Sequence, residues 1–256
     1  MKNEYNVAFI TGASSGIGEA IAERFAAEKK KLVLLARRRG KLESIAKRLS
    51  KHTDCHIIAC DVMDKTSLKT EILNLPMDFR NVDVLVNNAG LALGLEPAQK
   101  ASWEDWQTMI DTNCTALAFI TYLLLPGMVE RNRGHIVNIG SVAGSYAYMG
   151  GNVYAASKAF VEHFSRNLKA DLLGTAVRIT NIEPGMVGGS EFSLVRFGGD
   201  KERAEQIYAG TKPLTAESIA ESVSWSVSMP AHVNICRIEI MPVCQAPSRL
   251  AIHRDV

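Results

Sequence analysis

The chain has 256 residues, 47% of them hydrophobic and 22% charged, an ordinary globular composition with length enough for one sizeable α/β domain. Its formal net charge of +2, with opposite charges matched along the whole chain, gives no footing for nucleic acid or an anionic membrane as partner. Five cysteines, Cys55, Cys60, Cys114, Cys236 and Cys244, form no CxxC pair and are odd in number, so reduced thiols in a cytoplasmic protein are expected, not a disulfide framework or a zinc site.

The first five residues lack a long apolar run, so neither a signal peptide nor a membrane anchor is expected there. Val7–Thr11 is an apolar run closed by Gly12, a buried-strand pattern, and from 18 to 25 the apolar residues fall at helical spacing. Residues 32–36 form a second apolar run, after which Leu42, Ile45, Ala46 and Leu49 mark one face of a basic helix. The alternation continues with strand 56–60, helix 67–73 and strand 82–87, then a long helical stretch over 102–130 with a bend expected near Pro126. Gly134–Ile139 is a fifth strand, 153–173 a helix, and 177–182 a sixth strand ending at Pro184-Gly185. A helix over 217–227 and a last strand over 235–240 complete the pattern. Strands alternating with helices this way predict right-handed βαβ units in one doubly wound α/β domain over 1–256, with a mostly parallel seven-stranded sheet covered on both faces. Segment 186–212, with Gly198-Gly199 and no clear strand, departs from the alternation. It reads as an insertion over the sheet's carboxyl edge, where such sheets bind ligands, and so as a substrate lid.

Two local patterns carry chemistry. Between the first strand and helix stands Thr11-Gly12-Ala13-Ser14-Ser15-Gly16-Ile17-Gly18; glycines there permit positive φ and close approach of a pyrophosphate to helix N-terminal amides. Farther on, Tyr154 and Lys158 lie four apart on one helix face, and Ser141 lies 13 residues upstream of the tyrosine at a strand end. A phenol, an ammonium and a hydroxyl thus converge on one point. Singly each has an ordinary structural reading; together with the glycine turn they do not.

The spacing Gly12-x-x-x-Gly16-x-Gly18, joined to Tyr154-x-x-x-Lys158, resembles the short-chain dehydrogenase/reductase family and implies its single-domain Rossmann-type fold. Asp61-Val62 and Asn87-Asn88-Ala89-Gly90 look like two further family motifs, implying adenine contacts and the shape of the cofactor pocket. Asn113 matches the family's active-site asparagine and Pro184-Gly185 its nicotinamide-side turn. The implied cofactor contacts are Gly12, Ser14, Ser15, Gly16, Ile17 and Gly18 at the turn, with Asp61, Val62, Asn88, Ala89 and Gly90 beside it. Tyr154, Lys158, Pro184, Gly185 and Val187 complete them at the nicotinamide end. About 19 residues after Gly18, where an acidic residue would hold the ribose hydroxyls of NAD, the chain reads Ala36-Arg37-Arg38. Guanidinium groups accept a 2′-phosphate that a carboxylate would repel, so NADP is the expected cofactor, with Arg37 the first choice as its phosphate ligand and Arg38 beside it.

In the family the tyrosine is the proton donor and acceptor, the lysine holds the nicotinamide ribose, the serine hydrogen-bonds the reacting oxygen, and the asparagine holds a water leading to solvent. These roles carry over to Tyr154, Lys158, Ser141 and Asn113. A free tyrosine has a pKa of about 10; a cation about 4 Å away at an effective dielectric of about 20 contributes roughly 4 kcal/mol, which predicts that Lys158 brings Tyr154 near 7. The six histidines show no ligand spacing, so no metal is indicated, and His135 is expected to pack in or beside its strand. Trp103, Trp106, Met109 and Ile110 read as core or subunit contact.

Where the family usually has a threonine five positions past the proline, this chain has Gly189, with Ser190 next; a one-residue bulge at Gly188-Gly189 would let Ser190 take its place. The stretch from Glu183 through Phe192, Val195-Arg196-Phe197, Pro230 to Ile235, and Met241-Pro242-Val243 resembles a branch of NADP-dependent 3-hydroxy acid dehydrogenases that also oxidise serine and allo-threonine. That implies a small hydroxy acid substrate and a homotetramer. Arg196 is the only arginine between Arg178 and Arg203, and its planar fork suits a substrate carboxylate; the alternatives are a solvated arginine or a pair with Glu191. The polar tail from Pro247 to Val256 has no core pattern and reads as a frayed end or an arm to a neighbouring subunit. Two other functions stay open: a reductase of neutral ketones, sugars or acyl-carrier-protein esters, and a protein that senses NADP(H) without turnover, which would be expected to have lost a catalytic member.

Overall fold

The computed structural model describes residues 5–247. Seven parallel strands form one sheet in the order β3-β2-β1-β4-β5-β6-β7: β1 Val7–Thr11, β2 Lys31–Ala36, β3 Cys55–Ala59, β4 Val84–Asn87, β5 Gly134–Ile139, β6 Val177–Pro184 and β7 Arg237–Ile240. The continuous apolar runs are explained by burial on both faces, since successive side chains of a strand point to opposite sides. Ala8 and Ile10 of β1 and Leu32 and Leu34 of β2 join one core, with Ile21, Phe25, Leu42, Ile45 and Val223. Their neighbours Val7, Phe9, Val33 and Leu35 join the other, with Leu68, Ile120, Leu124 and Leu168. The first core lies under α1 (Gly16–Ala27), α2 (Arg39–Leu49) and α10 (Ala216–Ser228). The second lies under α3 (Lys65–Leu73), α6 (Leu117–Glu130) and α7 (Asn152–Asp171).

The chain leaves β1 toward β2 and β3 on one side and returns to β4 on the other, so a crevice opens above the carboxyl ends of β1 and β4. Further helices are α4 (Met77–Arg80), α5 (Trp103–Ile110), α8 (Phe192–Arg196) and α9 (Lys201–Gln206). The long stretch expected over 102–130 is continuous, but its irregularity is a π-helical segment at Asp111–Ala116, between α5 and α6; Pro126 lies inside α6. Wider turns of this kind displace side chains from α-helical register and often accompany functional sites, and this one carries Asn113. Trp103–Glu130 is long and apolar enough to cross a membrane by length and composition. Met109, Ala116, Leu117, Ile120, Leu124 and Met128 on it are buried within the protein, while Trp103 and Tyr122 are exposed.

His135 is fully buried in β5, its Nε2 2.7 Å from the Thr180 hydroxyl, and burial drives its imidazole well below the ordinary value, so it stays neutral. Segment 186–212 is built from α8 and α9 with a single bridge, Val187 to Leu214. Residues 248–256, nearly all of the tail considered above, lie outside the described residues.

Candidate active site

The glycine turn is fastened from below by two residues. The Thr11 hydroxyl accepts from the backbone N–H groups of Asn88 (2.9 Å) and Ala89 (2.8 Å), and the Asn88 side-chain amide donates to the carbonyls of Thr11 (2.9 Å) and Gly12 (3.3 Å). Gly12 and Gly16 have φ of +65° and +56°, and a Cβ on Gly18 would lie 2.3 Å from the Gly12 carbonyl oxygen, so the three glycines are demanded by the turn itself. Helix α1 starts at Gly16 with no side-chain cap from Ser15, leaving its first N–H groups to the wall of the crevice.

At this end stand two arginines. Arg37, 71% exposed, has its Nη1 3.9 Å from Asp61 Oδ2. Arg38 reaches the turn: its Nη2 donates to the hydroxyls of Ser14 (3.2 Å) and Ser15 (3.0 Å), and its fork grips Glu191, Nη1 to Oε1 at 3.0 Å and Nη2 to Oε2 at 2.7 Å. Arg38, and not Arg37, touches the glycine turn, while both line the same end of the crevice. Glu191 is also settled as the partner of Arg38, not of Arg196.

At the other end, α7 brings Tyr154 and Lys158 onto one buried face, and Ser141 stands two residues past the end of β5. The Lys158 ammonium donates to the Ile139 carbonyl (2.8 Å) and lies 5.9 Å from the Tyr154 ring centroid. Burial lowers Lys158 from 10.5 to about 8. Burial also pushes Tyr154 up to about 12, against smaller lowering effects of a Ser141 hydrogen bond and the Arg196 charge. Among the protein's own groups, then, Lys158 does not bring Tyr154 near 7. Its ammonium is drawn to the end of β5, and the loss of hydration around the phenol outweighs the remaining attractions.

Asn113 is locked in place: its amide donates to the Leu91 carbonyl (2.9 Å) and the Ser157 hydroxyl (3.0 Å), and its Oδ1 accepts from the Leu91 N–H (2.9 Å). Holding a water is thus left to the second lone pair of Oδ1 or to its backbone. Gly90 faces it. A Cβ there would lie 3.1 Å from Asn113 Oδ1 and 3.5 Å from Lys158 Nζ, so glycine keeps the floor of the crevice open beside the lysine.

Arg196 arrives from α8. Its Nε donates to the Gly94 carbonyl (3.1 Å), its Nη2 to the Tyr148 hydroxyl (2.9 Å), and the guanidinium lies 5.6 Å from the Tyr148 ring centroid and 5.5 Å from that of Tyr154. Two of its five N–H groups are occupied, leaving the Nη1 side of the fork for an anion. Phe192 packs against Tyr154 with ring centroids 5.9 Å apart. Ser190 sits across from Gly16, following a left-handed Gly189 at φ +71°.

Most of these groups line one crevice of about 520 Å³, within the range for a cofactor or small ligand, which also takes in Asp61, Val62, Pro184, Gly185 and Val187; Thr11, Gly18 and Asn113 stand behind its wall. Its uncapped helix start, glycine floor and arginine end suit a phosphorylated dinucleotide. Thr11 and Tyr148 escape the sequence reading of the site. Thr11 is visible in the glycine motif but gives no sign of its hydroxyl's partners, and Tyr148 lies in an irregular segment with no periodic signal.

A short chain dehydrogenase family model matches residues 6–194. The chain is 53% identical over 249 residues to the NADP-dependent 3-hydroxy acid dehydrogenase YdfG of Salmonella typhi, covering 97% of this chain and 100% of that protein. It is 47% identical over 251 residues to sulfoacetaldehyde reductase 2 of Chromohalobacter salexigens, covering 98% and 99%. In structure it is similar to a serine dehydrogenase in its closed form complexed with NADP+, with a TM-score of 0.94, 51% identity, and coverage of 97% of this chain and all of that one. The chain belongs to the short-chain dehydrogenase family.

Proposed function

We propose that the protein is an NADP-dependent oxidoreductase that moves a hydride between the nicotinamide and the hydroxyl or carbonyl carbon of a small 3-hydroxy acid. The observation that carries the substrate class is the Arg196 guanidinium held 5.5 Å from the ring of Tyr154, with no hydrogen-bond partner on the Nη1 side of its fork among the described residues. A carboxylate held by that guanidinium would lie on the Tyr154 side of the crevice, as a 3-hydroxy acid with its reacting oxygen at the phenol would require. The similar proteins named above include enzymes of 3-hydroxy acids, serine and sulfoacetaldehyde, and each of these names denotes a substrate that carries an anionic group.

NADP supplies or accepts the hydride when bound. The glycine turn, with Ser14, Ser15 and Ile17, would take its pyrophosphate; Arg37 and Arg38 its 2′-phosphate; Asp61 and Val62 its adenine. Asn88, Ala89 and Gly90 shape the middle of the site, and Pro184, Gly185, Val187 and Ser190 close the nicotinamide side. Tyr154 gives the proton to the carbonyl oxygen or takes it from the hydroxyl, and Ser141 hydrogen-bonds the same oxygen. Lys158, titrating near 8, is the group of this set closest to neutrality and refills the phenol. Asn113 fixes the backbone around Leu91 and Gly90 beneath it. Segment 186–212 acts as the lid. The protein works as a cytoplasmic homotetramer on this reading, and exposed Tyr122, Phe160 and Trp225 offer apolar surface for subunits to cover.

The test is a panel of 3-hydroxypropionate, serine, allo-threonine and neutral secondary alcohols assayed with NADP on the natural protein and on Arg196→Leu. Charge-assisted hydrogen bonds contribute about 1.5–3 kcal/mol each, so kcat/KM for the acids should fall by about 10²-fold or more relative to the alcohols. Equal losses on both classes, or a natural enzyme that prefers the neutral alcohols, would refute the reading.

A further inference from the structure

The Arg38 fork meets a carboxylate of the protein itself. Both oxygens of Glu191 lie on it at 3.0 and 2.7 Å, while the same Nη2 also reaches Ser14 and Ser15 on the glycine turn. The other arginine lining this end among the described residues, Arg37, stands 3.9 Å from Asp61. Each cation that would receive a 2′-phosphate therefore already faces an anion of the protein, and at Arg38 the pairing is two-pronged, the geometry a phosphate would itself adopt.

We propose that Glu191 is a specificity-determining residue for the cofactor: its carboxylate occupies the Arg38 fork as a built-in anion, and a 2′-phosphate must displace it to bind. The proposal rests on the NADP reading above. A ribose hydroxyl, which is neutral, does not displace a carboxylate from a guanidinium, whereas a phosphate with nearly two negative charges does, so the pair weakens the binding of NADP alone and narrows its advantage over NAD. The exchange also connects the two ends of the crevice. Glu191 lies between Ser190, packed across from Gly16, and Phe192, packed against Tyr154, and it leads directly into the helix that carries Arg196.

The probes are 2′,5′-ADP and 5′-AMP, which carry the adenosine end with and without the 2′-phosphate, titrated calorimetrically into the full-length protein. Four forms are compared: the natural protein, Glu191→Gln, Arg38→Gln and the double variant. Glu191 is half exposed and Gln keeps its shape, and Glu191→Ala serves as a second removal of the charge. Exposed ion pairs are individually weak, so removing the competing carboxylate should tighten 2′,5′-ADP by about two- to fivefold and leave 5′-AMP unchanged. In the Arg38→Gln background the Glu191 substitution should have no effect. A Glu191→Gln protein that binds 2′,5′-ADP more weakly, equally well, or tighter only in step with 5′-AMP overturns the gate while leaving the NADP reading intact. A natural protein that binds the two nucleotides equally overturns both.

Discussion

Replacing Lys158 with Met tests the electrostatics of the site through folding stability. Lys158 is 7% exposed, and burial lowers it from 10.5 to about 8. The folded state therefore binds fewer protons than the unfolded state between about pH 8 and 10.5, and by linkage the contribution of this group to stability rises with pH across that window and is flat below it. A drop of that size corresponds to about 3 kcal/mol of destabilisation borne at pH 7 and relieved by about pH 10.5. Met is of similar length and carries no charge. It leaves the Ile139 carbonyl without its donor, a loss of about 1–3 kcal/mol that does not depend on pH. Urea denaturation of both proteins from pH 7 to 10.5 should thus show the stability of Lys158→Met relative to the natural protein falling by about 3 kcal/mol across the range. Tyr154, raised to about 12, acts above pH 10 with the opposite slope and is common to both proteins. A difference that stays constant from pH 7 to 10.5 would refute a depressed Lys158.

Two further substitutions address single roles. Tyr154→Phe should lower kcat by about 10²–10⁴-fold while leaving NADPH affinity, read from nucleotide fluorescence, within about twofold; a Phe variant that still turns over hydroxy acids removes the phenol from the chemistry. Arg37→Ala, which removes an exposed cation 3.9 Å from Asp61, should raise the KM for NADP several-fold and leave that for NAD unchanged, and parallel changes for the two cofactors would remove Arg37 from the phosphate site.

The fold was legible because its signals are local. Doubly buried strands such as Val7–Thr11 and Gly134–Ile139 must be apolar throughout, and the helices between them must show one apolar face; both patterns survive in a bare sequence. The glycine turn and the Tyr154-x-x-x-Lys158 helix are likewise contiguous motifs. What was not legible depends on contacts across long sequence separations. The π-helical segment at Asp111–Ala116 joins α5, which packs on α7, to α6, which packs on the sheet, and lets Asn113 turn to Leu91 and Ser157. The preference for Arg37 over Arg38 rested on counting from Gly18, and such counting gives no sign that Arg38 pairs with Glu191, 153 residues away in sequence.

The expected effect of Lys158 on Tyr154 failed for a related reason. Spacing on a helix fixes which face two residues share, but neither their separation at the tips nor how much water they lose. Here the ammonium turns to the end of β5, and the 141–148 and lid segments, with Arg196 and Phe192, close over the phenol. Burial acts on both groups in the direction that disfavours charge, raising the tyrosine and lowering the lysine. Such a pair is a poor contributor to folding, and that is consistent with its use. A proton relay needs groups whose charged and neutral forms are close in free energy, which a fully hydrated lysine near 10.5 is not and a buried one near 8 is. The stability given up at Lys158 and the capacity to exchange a proton near neutrality are then one physical effect, the removal of water from the carboxyl end of β5.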